Sequence, residues 1–179
     1  MSEATQFDII EQIGQDLEQV EVSLAASFET GAEDFNALIR PLSAAGGKRL
    51  RAQLCILVAL AGNSVQEERI KIAESVEMLH LATLIHDDVL DQAAIRRGES
   101  TIHTHKGNKI AIVSGDYLFA VCFGLVASLN STEYLKVFTH IITCLVEGEF
   151  MQMEDVYRID QGIDRYMTKT QKKTADFME

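Results

Sequence analysis

The 179-residue chain is 47% hydrophobic and carries a formal net charge of −11, which allows one domain with a sizeable apolar core. The negative charge disfavours a nucleic-acid partner, because a phosphate backbone would repel it. Three widely spaced cysteines, Cys55, Cys122 and Cys144, lack metal-ligand spacing and indicate buried free thiols in a reducing, cytoplasmic location. The N-terminal residues do not resemble a signal peptide, and the longest apolar run, 118–129, is too short to span a bilayer.

Helical periodicity accounts for nearly the whole chain, and a single proline, Pro41, allows long uninterrupted helices. Breaks are predicted at Thr30-Gly31 and at Gly62-Asn63, the second as a C-cap. Residues 92–108 are polar and predict a loop. Predicted helices cover residues 5–28, 35–41, 50–61, 66–91, 109–129 and 132–157, and another begins at Gly162. Because no segment shows convincing strand alternation, we predict one all-α domain over residues 1–179.

Three aspartates end the long predicted helix, in the segment IHDDVLD. Asp87 and Asp91 are four residues apart and share one helix face, with Asp88 beside them. At a separation of about 6 Å and an effective dielectric of about 20, two such charges repel by about 3 kcal/mol. A helix gains no stability from this arrangement, whereas a bound cation would remove the repulsion. The segment therefore predicts a Mg²⁺ site for a phosphorylated substrate.

A basic turn, GGKRLR at 46–51, precedes a helix whose exposed N–H groups suit an anion. Lys48 and Arg51 are three residues apart and can converge on one diphosphate, whereas Arg49 would point elsewhere. In so acidic a chain, a concentrated cationic turn favours a phosphate site over a solvated surface turn. His80 lies two helical turns before Asp87 on nearly the same face, so it is a candidate for the same diphosphate.

Two further cationic segments are weaker signals taken alone. Arg96 and Arg97 follow the aspartates closely, and adjacent arginines point in different directions, so they can serve two anions. Lys173 and Thr174 can donate to a phosphate through an ammonium and a hydroxyl, although paired lysines are often simply solvated. His86 faces away from Asp87, which indicates a packing role. The polar residues Asp116, Tyr117, Glu149 and Gln152, on otherwise apolar helices, favour interhelical hydrogen bonds.

The ordered motifs resemble those of the trans-prenyl diphosphate synthases, also called polyprenyl synthetases. They are GGKRLR, VEMLHLATLIHDDVLD, RRG, SGDYLFA, GEFMQ and KKTADF, and they cover the chain from about residue 40. The resemblance implies an antiparallel helical bundle around a central cavity, usually in a homodimer. It also implies Mg²⁺-assisted head-to-tail condensation of isopentenyl diphosphate with an allylic prenyl diphosphate, in an apolar cavity that excludes water.

The resemblance also assigns roles to residues of this chain. Asp87, Asp88 and Asp91 correspond to the catalytic aspartates, with Asp87 and Asp91 as the metal ligands. The implied isopentenyl diphosphate site consists of Lys48, Arg51, His80 and Arg97. The implied allylic diphosphate contacts are Arg96, Lys173 and Thr174.

Product length is predicted from two small residues about one turn before the aspartates, Ala82 and Thr83. Farnesyl synthases of this family often have aromatic residues here, and small side chains would let the growing tail run deeper. We therefore expect a product of roughly C30 or longer, since each added isoprene unit needs more apolar depth. A farnesyl or geranylgeranyl product is the alternative.

The chain departs from the family pattern at two places. Ala52 replaces a usual proline, which the helix tolerates. Family members are longer and carry a second aspartate-rich motif that this sequence lacks. Three interpretations follow: the N-terminal part of an ordinary synthase with little activity alone, a non-catalytic subunit of a hetero-oligomeric synthase, or a diphosphate-binding module or terpene cyclase relative. The intact aspartates disfavour the second interpretation, and GGKRLR with His80 disfavours the third.

Overall fold

A computed structural model describes residues 3–29, 33–44, 47–62 and 64–178, without the side chains of 3–7 and 42–44. Almost all of this backbone is helical, as predicted. The α-helices are α1 (Glu3–Ser27), α2 (Glu33–Ala44), α3 (Leu50–Ala61), α4 (Gln66–Leu90), α5 (Ile102–Lys106), α6 (Asn108–Ser128), α7 (Thr132–Glu154) and α8 (Ile163–Thr170). A π-helix, Gln171–Ala175, follows α8 directly, and two short strands lie between α4 and α5.

The predicted end of the second helix is wrong in detail. Helix α2 does not stop near Pro41 but continues to Ala44. Proline inside a helix removes one hydrogen bond and crowds the carbonyl of the preceding turn, but the fully buried Ile39 anchors the segment. The predicted break at Thr30-Gly31 and the Asn63 half of the C-cap lie outside the described residues. Gly62 is the C-cap residue of α3, as predicted, and its N–H donates to the carbonyls of the last helical turn.

Residues 92–108 are more ordered than the predicted loop. Strands β1 (Ile95–Arg96) and β2 (Glu99–Ser100) pair antiparallel, with Arg96 opposite Glu99, and the short helix α5 follows. Arg97 and Gly98 form the two-residue connection with φ values of 53° and 86°, the pattern of a type I′ turn. Two-residue strands are too short to show alternation in a sequence, so tertiary structure alone reveals the hairpin.

Helix α4 is the centre of the first of two compact units, Met1–Leu129. It packs against α1, α3 and α6. The fully buried apolar side chains of this unit include Val20, Leu24, Phe28, Ile56, Met78, Leu79, Leu118 and Val126. The buried face of α4 extends along most of the helix, so the helix holds the residues at its C-terminal end in a defined place.

A buried ion pair joins the N-terminal part of α4 to α1. The Arg69 Nε donates to Asp16 Oδ2 at 2.7 Å, and Gln66 and Gln12 donate to the Asp16 Oδ1. Burial alone would raise the pKa of Asp16, but the hydrogen bonds from Arg69, Gln66 and Gln12 hold it below its usual value. The contact therefore stabilises the folded state only while the Asp16 carboxyl is ionised.

The second unit, Asn130–Glu179, contains α7, α8 and the π-helix. Its core includes Phe138, Ile141, Cys144 and Phe177. The buried Asp155 ends α7, and its carboxylate accepts hydrogen bonds from Arg165 at 2.6 Å and from Lys169 at 3.0 Å. These two cations keep the pKa of Asp155 low although burial would raise it, so this carboxylate joins α8 to the end of α7.

Helix α6 is long and apolar enough to cross a membrane by length and composition, with a mean hydropathy of 2.0. The core helix of a globular protein meets the same criterion. Ser114, Leu118, Cys122 and Val126 of α6 are buried, and the helix packs along α4, which identifies it as a core helix. All three cysteines are free thiols, as predicted; Cys122 and Cys144 are buried, and Cys55 is half-buried.

Candidate functional site

The three aspartates at the end of α4 have different environments. Asp88 is buried, and its Oδ1 accepts a hydrogen bond from Arg96 Nε at 2.6 Å. Asp87 is half-buried and Asp91 is exposed. The Asp91 N–H donates to the Asp87 carbonyl at 2.8 Å, which closes the last turn of α4. The structure thus separates Asp88, which holds an arginine, from the Asp87 and Asp91 pair.

Asp87 and Asp91 are suitable ligands for Mg²⁺. Among the residues that the structure describes, no group of three or more His, Cys, Asp or Glu side chains is arranged to hold a metal ion. Mg²⁺ commonly takes one or two protein carboxylates and completes its shell with water and substrate phosphate oxygens. A pair of carboxylates one turn apart at a helix end fits that requirement.

The basic turn before α3 meets α4 at His80. Arg51 Nη1 lies 3.5 Å from His80 Nε2, and because a guanidinium only donates, the neutral ring carries its proton on Nδ1. Burial, with the charges of Arg51, Arg97, Arg96 and Arg49, lowers the pKa of His80 to about 4. His80 is therefore neutral at pH 7.

The turn between β1 and β2 lies against the same basic turn. A methyl group at Gly47 would lie 3.1 Å from Arg97 Nη1, so the Arg97 guanidinium contacts the backbone there, and the absence of a side chain permits the contact. Lys48 is exposed, and its carbonyl accepts a hydrogen bond from Gln53 at 2.6 Å. Gly46 lies outside the described residues. Arg51, His80 and Arg97, predicted from three separate motifs, are therefore brought together.

A cleft of about 450 Å³ is lined by Arg97 but not by Arg51 or His80. Asp88, Arg96 and Arg97 lie on its polar side, and Leu81, Leu84 and Ile85 contribute to its apolar side. The residues predicted to set product length do not line this cleft: Ala82 is fully buried, and the Thr83 hydroxyl donates to the His80 carbonyl at 2.8 Å.

The second unit holds Lys173 and Thr174 on the π-helix, a rare conformation that is frequent at functional sites. Lys173 pairs with Glu149 and donates to Gln152 Oε1 at 2.9 Å. A methyl group at Gly148 would lie 2.7 Å from Lys173 Cγ, so glycine permits this approach. Thr174 is exposed. The interhelical hydrogen bonds predicted for Glu149 and Gln152 are thereby confirmed.

The packing role predicted for His86 is also confirmed. Its Nε2 lies 3.1 Å from the Ile112 carbonyl and 3.5 Å from Asp116 Oδ1. A methyl group at Gly115 would lie 2.3 Å from His86 Nε2, so only glycine fits there without rearrangement. Tyr117 packs edge-on against Phe35, with ring centroids 5.0 Å apart. The SGDYLFA segment of α6 therefore supports the helix that carries the aspartates.

Sequence reasoning missed the carboxylates that hold the basic turn. Arg49 does point away from Lys48 and Arg51, and it pairs with Glu21 at 2.6 Å and with Glu77 at 3.2 Å. Burial would lower the pKa of Arg49, but these two carboxylates raise it. The available signal was a glutamate, Glu77, among the apolar residues of α4, where an unpaired charge would be unstable.

Comparison with known proteins agrees with these motifs. The polyprenyl synthetase family model matches residues 32–179. A prenyl transferase of Porphyra purpurea is 36% identical over 178 residues, covering 98% of this chain and 55% of the relative. The octaprenyl diphosphate synthase of Escherichia coli (strain K12) is 31% identical over 171 residues, covering 96% of this chain and 53% of the relative.

A solved structure is also similar to this chain. The polyprenyl synthase of Caulobacter crescentus CB15, complexed with calcium and isoprenyl diphosphate, has a TM-score of 0.87 and 32% identity, covering 94% of this chain and 52% of that one. The chain spans about half the length of the curated relatives it matches. With its motifs in order and its fold shared, the chain belongs to the polyprenyl synthetase family.

Proposed function

We propose that this chain provides the isopentenyl diphosphate site and the first magnesium-binding aspartates of a trans-prenyl diphosphate synthase. The reaction is condensation of isopentenyl diphosphate with an allylic prenyl diphosphate. The observation that carries the proposal is the convergence of Arg51, His80 and Arg97, with the Arg51 guanidinium 3.5 Å from the His80 ring. Three cationic or hydrogen-bonding groups from separate segments suit a diphosphate, which offers many acceptor oxygens and several negative charges.

Lys48, Arg51 and Arg97 bind the isopentenyl diphosphate by charge-assisted hydrogen bonds, and neutral His80 adds a donor at Nδ1 without further charge. Arg96 contacts the allylic diphosphate, and Asp88 orients its guanidinium through Nε. Lys173 and Thr174 are further proposed contacts to the allylic diphosphate. Arginine is suited to these roles because its planar fork remains charged at any physiological pH.

Asp87 and Asp91 would hold Mg²⁺, which when bound neutralises the charge that develops on the departing diphosphate. The side chains of Leu81, Leu84 and Ile85 give the cleft beside Asp88 and Arg96 an apolar side. The hard oxygen ligands of the two carboxylates match this cation.

A long product, of roughly C30 or more, is proposed because the side chains of Ala82 and Thr83 are small, although neither residue lines the cleft described above. The octaprenyl diphosphate synthase relative supports this length. In the complete enzyme, Thr83→Phe should shorten the product, measured by chromatography of the dephosphorylated prenols. An unchanged product would place the wall elsewhere and leave farnesyl or geranylgeranyl diphosphate as the alternative.

Binding of isopentenyl diphosphate to the 179-residue chain, measured calorimetrically, tests the proposed site. Arg51→Ala should weaken binding by about tenfold or more, because it removes charge-assisted hydrogen bonds. Arg40→Ala is the matched control, since Arg40 pairs with Glu29 and Glu33 on the surface. Equal affinities for both variants, or no binding by the unsubstituted chain, would contradict the proposal.

Turnover tests the role of the chain within the enzyme. With Mg²⁺, isopentenyl diphosphate and an allylic primer, we expect little product from these 179 residues alone, because a leaving diphosphate needs several metal charges and this sequence carries one aspartate-rich motif. Robust turnover would contradict that expectation. Binding without turnover, even after the remaining family segments are supplied, would favour a non-catalytic subunit. We further propose a homodimer, which light scattering of the purified protein tests, and a cytoplasmic location, which cell fractionation tests.

A further inference from the structure

Glu77 lies on α4, three residues before His80, and is buried with 3% of its surface exposed. Its two carboxylate oxygens have separate donors. Oε1 accepts the Ala52 backbone N–H at 3.2 Å, and Oε2 accepts Arg49 Nη1 at 3.2 Å. Glu77 therefore contacts the basic turn at two points, one on each side of Arg51.

The contact with Ala52 replaces a missing helix cap. Helix α3 begins at Leu50, and its N-cap residue, Arg49, has φ 47° and makes no side-chain capping bond. The first N–H groups of a helix have no acceptor within the helix, and an N-cap side chain ordinarily accepts from the second or third of them. Ala52 is the third, and Glu77 accepts from it across the helix interface. The positive end of the helix dipole favours a carboxylate at this place.

The contact between Glu77 and Arg49 restrains the backbone on the N-terminal side of Arg51. Arg49 is in the left-handed region, which a residue with a side chain rarely adopts without restraint. Its Nε and Nη2 donate to the Glu21 oxygens at 2.6 and 3.1 Å, and its Nη1 donates to Glu77. The half-buried guanidinium thus fixes the turn from which Lys48 and Arg51 project.

We propose that Glu77 is a positioning residue for the isopentenyl diphosphate site. By capping α3 from α4 and pairing with Arg49, it sets Arg51 against His80 and places Lys48 beside them. The inference rests on the proposed function for its ligand, and Glu77 itself does not touch the diphosphate, because both oxygens are engaged with protein donors.

Glu74 provides a matched control on the same helix. It is one turn earlier and equally buried, with 1% of its surface exposed. Its carboxylate accepts hydrogen bonds from Ser23 at 2.5 Å and from Ser27 at 2.7 Å, both on α1. Substitution of Glu74 therefore disturbs the packing of α4 without changing the cap of α3.

The first measurement is hydrogen exchange of the Ala52 amide by NMR in the 179-residue chain. We expect protection in the unsubstituted chain and in Glu74→Gln, and a loss of about tenfold or more in Glu77→Ala, because the acceptor is gone. Glu77→Gln keeps an acceptor oxygen and should retain most of the protection; it also serves if Glu77→Ala does not fold. Equal Ala52 exchange in the unsubstituted chain and in Glu77→Ala would overturn the cap.

The second measurement is the affinity for isopentenyl diphosphate without Mg²⁺. Glu77→Ala should weaken binding by about tenfold, Glu77→Gln by less, and Glu74→Gln by no more than about twofold. Equal losses for the Glu74 and Glu77 variants would reduce Glu77 to a packing residue and overturn the proposal. Absence of binding by the unsubstituted chain would instead overturn the proposed function and with it the ligand part of this inference, while Ala52 exchange decides the cap independently.

Discussion

The carboxylates along α4 differ between its middle and its C-terminal end. In the middle, Glu74 and Glu77 are buried, and every carboxylate oxygen accepts a hydrogen bond from a serine, an arginine or a backbone amide. At the end, Asp87 and Asp91 are more exposed and lie one turn apart, with like charge facing like charge. The middle carboxylates hold neighbouring helices, whereas the terminal pair lies where the helix dipole disfavours negative charge.

The difference separates structural carboxylates from the proposed metal-binding carboxylates on one helix. A buried carboxylate with donors on both oxygens contributes to folding, and its removal leaves donors unpaired. Two carboxylates at the negative end of a helix dipole repel each other and the dipole, and the proposed Mg²⁺ would relieve that repulsion. Stability measurements on variants of each kind test this separation directly.

The largest effect is expected where α4 is joined to α1. Arg69→Ala leaves the Asp16 carboxylate buried without its cation and should lower the free energy of unfolding by about 3–5 kcal/mol. Denaturant titration measures it. Lys71→Ala is the control, since Lys71 forms an exposed pair with Glu67 on the same helix and should change stability by no more than about 1 kcal/mol. A comparable loss in both variants would contradict the structural role of the buried pair.

The pH dependence of the free energy of unfolding should show the lowered pKa of His80, which lies on α4 between Glu77 and Asp87. Its pKa is about 4 in the folded chain against 6.5 for the free side chain, so between these values the unfolded chain binds more protons. Stability should therefore fall as the pH drops through this window, by as much as about 3 kcal/mol.

His80→Gln should remove that component, measured as the difference between the two pH profiles of the free energy of unfolding. Parallel profiles for His80→Gln and the unsubstituted chain would show that His80 titrates normally in the folded protein.

A smaller effect tests the packing behind the aspartates. Gly115→Ala would place a methyl group 2.3 Å from His86 Nε2 and should lower the free energy of unfolding by about 1–3 kcal/mol through overpacking. Gly124→Ala, on the same helix with no atom within 4 Å, should instead raise stability by up to about 1 kcal/mol through helix propensity. Thermal unfolding of both variants gives the comparison, and equal shifts would argue against close packing at His86.

The smallest effect has the opposite sign. Asp91→Asn relieves a like-charge pair and an unfavourable dipole contact, so it should raise the free energy of unfolding by about 0.2–0.5 kcal/mol while weakening Mg²⁺ binding. Asp88→Asn, at the same helix end, should lower stability because it removes the charge partner of Arg96. Destabilisation by Asp91→Asn would mean that the terminal pair is structural after all.

Much of the fold followed from periodicity. Helices α3, α4, α6 and α7 lie within a few residues of their predicted bounds, because each buries an apolar stripe that repeats at 3.6 residues. The β1–β2 hairpin was missed, since its strands are two residues long and are too short to show alternation of apolar and polar residues. The continuation of α2 through Pro41 was missed because the general breaking tendency of proline was outweighed by packing at Ile39.

The features of the site also divide into those that the sequence predicted and those that only the structure revealed. Charge and spacing were enough to point to Asp87, Asp91 and Arg51, because like charges on one helix face and cations after glycine are unusual in an acidic sequence. The resemblance to the polyprenyl synthetases added the roles of His80 and Arg97. Tertiary structure alone decided which of these side chains meet, that Asp88 holds Arg96, and that Glu77 holds the basic turn. A linear pattern reports which residues are chemically out of place, whereas the partner that satisfies each one is chosen by helix packing between segments far apart in sequence.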